Sequence, residues 1–540
     1  MTVQRFETEI VIAGGGLAGI ITAHELLHHG HRVLLIDNDT EANFGGLAKK
    51  SFGGVHLIGT PLQKRMGIQD SVDLALDDWL RCARFEEGDH WPRRWAEFYC
   101  NHSIEDIYQP LDERGVEFLP VVNWTERGFD RTHNSVPRWH IAWGTGYEII
   151  EKCVAALENH PGRSRLELLF EHEVSGFEFE GSRVVGVYGK RMSDGAEFSV
   201  KAEHTVIASG GMCGGDLSKV RKHWYKDWGE PPEIILNGAH RYGDGLLHDA
   251  IEAKGGVVTH LDKQWHYAAG IHHPAKERPF DGLSLVPARS ALWVNALGHR
   301  IGPRPMISYS DTRYLVEQVC RQPGQYSWQI LNEKIAEKEI AVSGSDFMTA
   351  FRHKKKLKLV RDMLLGNKEL IARLARECSD DFVMADSFDE LVAKMNERSL
   401  FGLQIDRERL LKDLTAYDGM IERGPAFHND EQLRWIAHFR NYRGDRLRTA
   451  NFQKILDPKA GKLIAIREFI LSRKSLGGIQ TDLSSRVLRE DGEPIPGLYA
   501  VGEAAGFGGG GIHGLGSLEG TFLGGCVLTG RVAGRSIGRL

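Results

Sequence analysis

Glu9-Ile-Val-Ile-Ala-Gly-Gly-Gly-Leu-Ala-Gly19 begins as an apolar strand and ends on glycines spaced G-x-G-x-x-G, at Gly14, Gly16 and Gly19. A helical run from Ile20 to His28 follows, and then a second apolar strand, Arg32-Val-Leu-Leu-Ile36, which stops at Asp37. In such a unit the first glycine makes the turn and the second lets main chain approach a pyrophosphate. The third lets helix and strand pack, and the acid after strand two takes ribose hydroxyls. Leu17 and Ala18, between the glycines, and Asn38, beside Asp37, belong to the same binding stretch. Strand, glycines, helix, strand and acid in that order predict a Rossmann-like α/β domain holding a dinucleotide. They do not separate NAD from FAD.

The far end of the chain carries the matching signal. Gly502 to Gly525 holds eleven glycines in twenty-four positions, a density that lets backbone lie close against a flat polar ligand. Ile512, His513, Leu515, Leu518, Phe522 and Leu523 are embedded in it, and serine is scarce, so it does not read as a flexible linker. Upstream, Gly497-Leu-Tyr-Ala-Val-Gly-Glu503 reads as a short buried strand ending in an acid. A helix expected from about Ser517 to Gly534 would present free N–H groups and the positive end of its dipole to the ligand, which suits an electron-rich ring that gains negative charge.

With 540 residues the chain is long enough for two or more domains. Its 68 basic and 73 acidic residues, net −5, give no reason to expect nucleic acid or an anionic membrane as partner. The seven scattered cysteines form no C-x-x-C, so no disulfide framework, redox pair, zinc site or haem attachment is indicated, and no metal is expected. No run approaches eighteen apolar residues and the first strand starts by about Thr8, so the reading is a soluble, cytoplasmic protein without a transmembrane segment. No second G-x-G-x-x-G fingerprint, set between a strand and a helix, points to a built-in NAD site.

Asn43-Phe-Gly-Gly-Leu-Ala-Lys-Lys-Ser-Phe-Gly-Gly54 is a second glycine-rich loop, placed where a longer ligand continues past the pyrophosphate. Here the chain resembles the flavoprotein group of fumarate reductases, succinate dehydrogenase flavoprotein subunits and 3-ketosteroid dehydrogenases. The resemblance implies FAD as cofactor, with Gly45, Gly46, Ser51, Gly53 and Gly54 against its ribityl chain and ring. Succinate dehydrogenases carry a flavin-linked histidine just before the second Gly-Gly. Leu47 to Phe52 has none, so the FAD is expected to be non-covalent. The resemblance extends to Val174, which would read adenine through main chain, and to Thr205-Val-Ile-Ala-Ser-Gly-Gly211, with Ser209, Gly210 and Gly211 near the dinucleotide. It also covers Tyr242-Gly-Asp-Gly245, and Gly502, Glu503, Ser517 and Leu518 in the terminal segment. It implies a FAD-binding domain of GR2 type with an inserted α+β capping domain: 1–260 for the first part of the FAD domain, 261–455 for the cap, and 456–540 for the second part.

Between the ends the sequence is less informative. Residues 65–150 are helical in tendency and hold six of the twelve tryptophans, expected as packing residues. The basic run Arg352-His-Lys-Lys-Lys-Leu-Lys358 reads as a solvated face. Hydride exchange beside a carbonyl also needs a group to move a proton and another to hold charge on oxygen. In fumarate reductases an arginine moves that proton; in 3-ketosteroid dehydrogenases a tyrosine does, after a V-N-x-x-G-x-R strand. That strand is Val294-Asn-Ala-Leu-Gly-His-Arg300 here, and Tyr309 or Arg313 follows it. His266, Tyr267 and the His272-His-Pro274 segment lie near the reductases' H-P-T, whose third letter is Ala275 in this chain. His513, in Ile512-His-Gly514, matches a substrate-binding histidine, but the arginine that follows it in reductases is Ser517, and a glycine is replaced by Glu519. A buried Glu519 would need a partner or a raised pKa.

The expectation is a FAD enzyme that moves hydride between flavin N5 and a carbon adjacent to a ketone, acting on an apolar small molecule and exchanging electrons with an unidentified acceptor or donor. The alternatives are a fumarate-type reductase of small unsaturated acids and a non-catalytic flavin electron carrier.

Overall fold

A computed structural model describes residues 3–130 and 132–540 of the chain. The first large sheet starts from Gln4–Ala13, whose last four residues are buried. This strand pairs in parallel with Val33–Ile36 on one side and with Glu197–Ile207 on the other. Leu166–Leu169 extends the sheet beyond Val33–Ile36, and Pro494–Ala500 extends it beyond Glu197–Ile207, both in parallel. Strands buried on both faces need continuous apolar runs, which is what Ile10-Val-Ile12 and Val33-Leu-Leu-Ile36 supply. Each such side chain stabilises the fold by about 1.5–3 kcal/mol. An antiparallel ribbon, His172–Glu180 with Arg183–Arg191, packs onto the edge of Glu197–Ile207. The helix Leu17–His28 lies against the C-terminal helix Thr521–Gly538, so the two ends of the chain share one core.

After Ile207 the chain builds a second large sheet around Leu463–Ser475, a thirteen-residue strand that is almost wholly buried. Gln264–His272, Ser327–Asn332 and Phe382–Ala385 pair with it antiparallel, and Ile235–Asn237 pairs with it in parallel. Strand pairing with the first sheet resumes at Pro494–Ala500. The architecture is α/β, with helices from Thr312–Cys320 to Glu431–Asn441 clustered around the second sheet. The C-terminal helix begins at Thr521, one turn later than the sequence suggested, because Gly520 before it takes the left-handed φ of +96° and Ser517 to Gly520 form the turn that feeds it. Among the described residues all seven cysteines are free, and no helix is long and apolar enough to cross a membrane.

Candidate active site

Three cavities run end to end between the sheets. The first, about 910 Å³, opens at the C-terminal ends of the parallel strands and is walled by Gly14, Gly16, Asp37, Asn38, Gly46, Val174, Ser209, Gly210, Gly211 and Glu503. Tyr242 to Leu247 closes its other side. Gly14 has φ of +120°, and a Cβ there would sit 2.3 Å from the Ala208 carbonyl oxygen, so the turn admits glycine alone. Gly16 and Gly210 differ: a Cβ on either meets no protein atom within 4 Å and would instead fill the cavity. Backbone that must come this close to a ligand at two facing points fits a dinucleotide. The Asp37 carboxylate accepts from the Gly15 amide at 2.5 Å and the Asp39 amide at 2.8 Å, and burial raises its pKa.

The second cavity, about 680 Å³, shares Leu47 and Glu503 with the first. Ser51, Gly53, Gly54, Gly520, Phe522, Arg473 and Lys474 line it. Glu503 accepts from the Ser475 amide at 2.9 Å, and burial lifts its pKa to about 7. Burial brings Lys474 down to about 8, and its ammonium sits 3.8 Å from the Phe522 ring centroid.

The third cavity, about 660 Å³, is reached past Phe52, Trp139, Tyr267, Ser343 and Glu519, which line it and the second in common. Its remaining walls are Ala268, Ala269, Leu285, Val286, Pro287, Trp293 and Leu315, with the polar groups of Glu126, Ser284, Ser308, Tyr309 and Thr312. Among the described residues that line it there is no arginine, lysine or histidine. A mostly apolar cleft with a few convergent polar groups is the usual form of a small-molecule site.

At the junction of the second and third cavities Tyr267 donates to Glu519 at 2.6 Å and accepts from Lys474 at 3.1 Å. Trp265 donates to the same Glu519 oxygen at 3.0 Å. Glu519, half-buried, therefore has partners for its carboxylate. Burial, and then the Glu519 charge, push Tyr267 well above the usual tyrosine range, so its hydroxyl keeps its proton. Tyr309 has φ of +67°, uncommon for a bulky side chain, in the turn before the helix Thr312–Cys320. Its hydroxyl makes no hydrogen bond to another described residue, and its ring lies 6.2 Å from that of Trp139. The neighbouring Ser308 hydroxyl is buried without a partner among the described residues. Glu126, fully buried, accepts from the Thr312 amide at 2.9 Å, and burial followed by the Asp311 charge raises its pKa strongly.

Three expected site residues lie outside the linings of the second and third cavities. His266 follows Trp265 on a strand, so it points to the opposite face; it stacks on Trp224 at 5.3 Å and bonds Gln264 at 2.8 Å. Arg313 places its guanidinium over Tyr225 at 4.3 Å and Trp228 at 4.6 Å. His513 is fully buried, stacked on Trp79 at 5.8 Å and bonded to Thr521 at 2.8 Å, and burial depresses its pKa to about 3. The Trp79 indole holds that turn by donating to the Ile512 carbonyl at 2.9 Å. His272 is tied to Asp381 at 2.8 Å.

Several expected cofactor positions also lie behind the cavity walls. Leu17, Ala18 and Gly19 pack in the core, leaving only their first-turn amides for a ligand. A Cβ on Gly45 would collide with Ile150 at 2.3 Å, which makes it a packing glycine. Gly502 donates its amide to Thr529 at 2.9 Å, and Ser517 and Leu518 bond Thr521. The sequence reading did not single out Lys474, Glu126, Ser308 or Trp139 as site residues. The one local signal among these is the basic pair Arg473-Lys474 near the end of a strand that also carries Arg467 and Glu468.

Residues 9–523 match the protein family described as FAD binding domain. Over 545 aligned residues the chain is 39% identical to a KsdD-like steroid dehydrogenase of Mycobacterium tuberculosis, covering 98% of this chain and 95% of the relative. Among solved structures, a 3-ketosteroid Δ1-dehydrogenase from Sterolibacterium denitrificans superposes with a TM-score of 0.68 at 15% identity, over 99% of both chains. The open conformation of a flavocytochrome c3 fumarate reductase gives 0.68 at 18% identity, over 99% of this chain and 78% of the other. At those identities the two structures speak for the fold alone.

Proposed function

This chain belongs to the FAD binding domain family of flavoproteins, an oxidoreductase acting on CH–CH groups, and on that premise we propose that it dehydrogenates a bulky apolar ketone of steroid type. One observation carries the choice of substrate. The third cavity is walled by aromatic and aliphatic side chains and offers hydroxyls but, among the described residues, no cationic anchor. A small dicarboxylate would need two such anchors; a polycyclic ketone needs none. The 39% relative, a KsdD-like steroid dehydrogenase, supports the same reading.

Gly14, Gly16, Asp37, Gly210 and Gly211 would hold the dinucleotide half of FAD, and Ser51, Gly53, Gly54, Lys474 and Gly520 would hold the ring half, without a covalent link. Bound FAD supplies a two-electron acceptor that takes hydride at N5. In the third cavity Tyr309, once its own proton has passed to water, would take as phenolate the proton from the carbon next to the carbonyl, since its side chain lines that cavity and makes no hydrogen bond to another described residue. Ser308 donates to the carbonyl oxygen as charge builds on it. Tyr267, fixed between Glu519 and Lys474, positions the substrate at the mouth between the two cavities and does not give up its own proton. The cationic pair Arg473 and Lys474 favours negative charge in the ring cavity. The electrons leave to an external acceptor, and the unpaired cysteines fit a cytoplasmic setting.

The test is anaerobic absorbance of the flavin band on addition of a saturated 3-ketosteroid. Bleaching without any other donor is the expected result. A band that persists, while dithionite-reduced protein regains its colour with fumarate, overturns the substrate assignment.

A further inference from the structure

The helix Lys356–Leu365 buries none of its side chains. Leu357, Val360 and Leu364 stand 89%, 55% and 61% exposed, and Leu365 71%. The first three are spaced i, i+3 and i+7, so they form one outward stripe, while the half-buried Leu359 and Met363 face the protein. Single exposed leucines are ordinary; a contiguous outward stripe on one short helix marks a contact surface.

The charges around the stripe are predominantly basic. Residues 353–365 contain five basic side chains, Lys354, Lys355, Lys356, Lys358 and Arg361, against the single acid Asp362. Lys355, Lys356 and Arg361 are exposed. Lys354 pairs with Glu148 at 2.7 Å, and Lys358 pairs with Asp362 and Glu369. Apolar residues facing out of a helix whose flanks are basic match a lipid surface with anionic headgroups. A second copy of the chain is a poor occupant, because a two-fold contact would set this basic cluster against itself. At ten residues the helix is about 15 Å long and lies along a surface without spanning it.

We propose that Lys356–Leu365 is a membrane-docking helix that seats the protein on the interface of an anionic bilayer. Its position gives the docking a use. Phe351, in the short helix Thr349–Arg352 just before it, packs its ring 5.3 Å from that of Phe52, which lines the second and third cavities. Ser343, a few residues upstream, lines the same two cavities. Docking through this helix holds the segment beside the third cavity against lipid, where an apolar ketone is concentrated. That use rests on the substrate reading above; the docking itself does not.

The experiment is co-sedimentation of the FAD-loaded full chain with phosphatidylcholine vesicles, with and without phosphatidylglycerol. Binding to the mixed vesicles is expected, weakened more than about tenfold on phosphatidylcholine alone or at high salt. Leu357→Ser with Leu364→Ser should weaken it more than about tenfold, and Lys355→Glu with Lys356→Glu should remove its salt dependence. Flavin content should stay at the wild-type level in both pairs, since all four side chains are exposed. Failure of the wild-type chain to bind mixed vesicles overturns the proposal, as does full binding by the Leu357/Leu364 pair. A concentration-dependent dimer lost in that pair, with no vesicle binding, assigns the stripe to a second copy and overturns it too. A failed ketosteroid assay leaves this readout unchanged, so the two readings fail separately.

Discussion

The dinucleotide cavity and the substrate cavity are built from different material. Backbone makes the first: Gly14, Gly16 and Gly210 present main chain, and the decisive residues sit within a few positions of one another in two short segments. Side chains make the third: Glu126, Tyr267, the adjacent Ser308 and Tyr309, and Glu519 come from four separated places and meet only because a strand, a turn and a helix start converge. The first kind of site is broken by adding atoms, the second by removing them.

The largest effect should come from testing that difference directly. Gly16→Val puts a side chain into cavity space where no protein atom lies within 4 Å. The chain should fold with an unchanged far-ultraviolet circular dichroism spectrum and purify without flavin. A yellow Gly16→Val protein would mean that the first cavity does not hold the dinucleotide. Tyr309→Phe removes a single oxygen from the third cavity. It should keep full flavin content while the rate of flavin reduction by ketone falls about 10²–10⁴-fold, the usual contribution of a positioned acid or base. An unchanged rate would take Tyr309 out of the chemistry.

A smaller effect belongs to the junction, where the two materials meet. Glu519→Gln leaves Tyr267 and Trp265 with a neutral acceptor, and turnover should fall about tenfold, as expected when a charged hydrogen bond becomes a neutral one. The pH profile sharpens this. Burial sets Lys474 near 8, so it carries charge below that pH and loses it above. Its donation to Tyr267 weakens on the alkaline side, and turnover should decline as pH rises through about 8. Lys474→Arg, which stays protonated, should abolish that decline. A decline that persists in the variant belongs to another group.

How much could be read from sequence follows from the same contrast. Gly14-Gly-Gly16 and Ser209-Gly-Gly211 are visible because backbone recognition forces a residue type at a fixed spacing, whatever the surroundings. Glu519 was visible as an anomaly, a carboxylate among glycines, but its partners Tyr267 and Trp265 lie 252 and 254 positions away in sequence, and no local pattern links them. The surroundings of His513 were hidden for the converse reason. Its place in the glycine-rich segment resembles a substrate-binding motif, yet Trp79, from a helix far upstream, stacks beside the imidazole, and no local pattern shows it. The leucines of Lys356–Leu365 escaped notice because a basic run reads as solvated until the orientation of the helix shows which side chains point outward with it.

The smallest effect on activity, and the most direct check on that stacking, is at His513. Folded, its pKa is near 3; unfolded, it returns to the ordinary value near 6.5. Between those values the unfolded chain binds a proton that the folded chain refuses, so stability falls as pH is lowered through that window and is unaffected above it. Each such histidine costs about 1.4 kcal/mol per pH unit. His513→Gln keeps a hydrogen-bonding group for Thr521 but does not titrate. Relative to wild type, the variant should lose about 2 kcal/mol less stability between pH 6.5 and pH 5, read from urea midpoints. Its turnover should change less than about threefold, because a side chain outside the cavities contributes only through packing. If instead both proteins lose stability in parallel and turnover collapses, the ring takes up protons in the folded state. It would then belong to the side-chain site and not to the scaffold behind it.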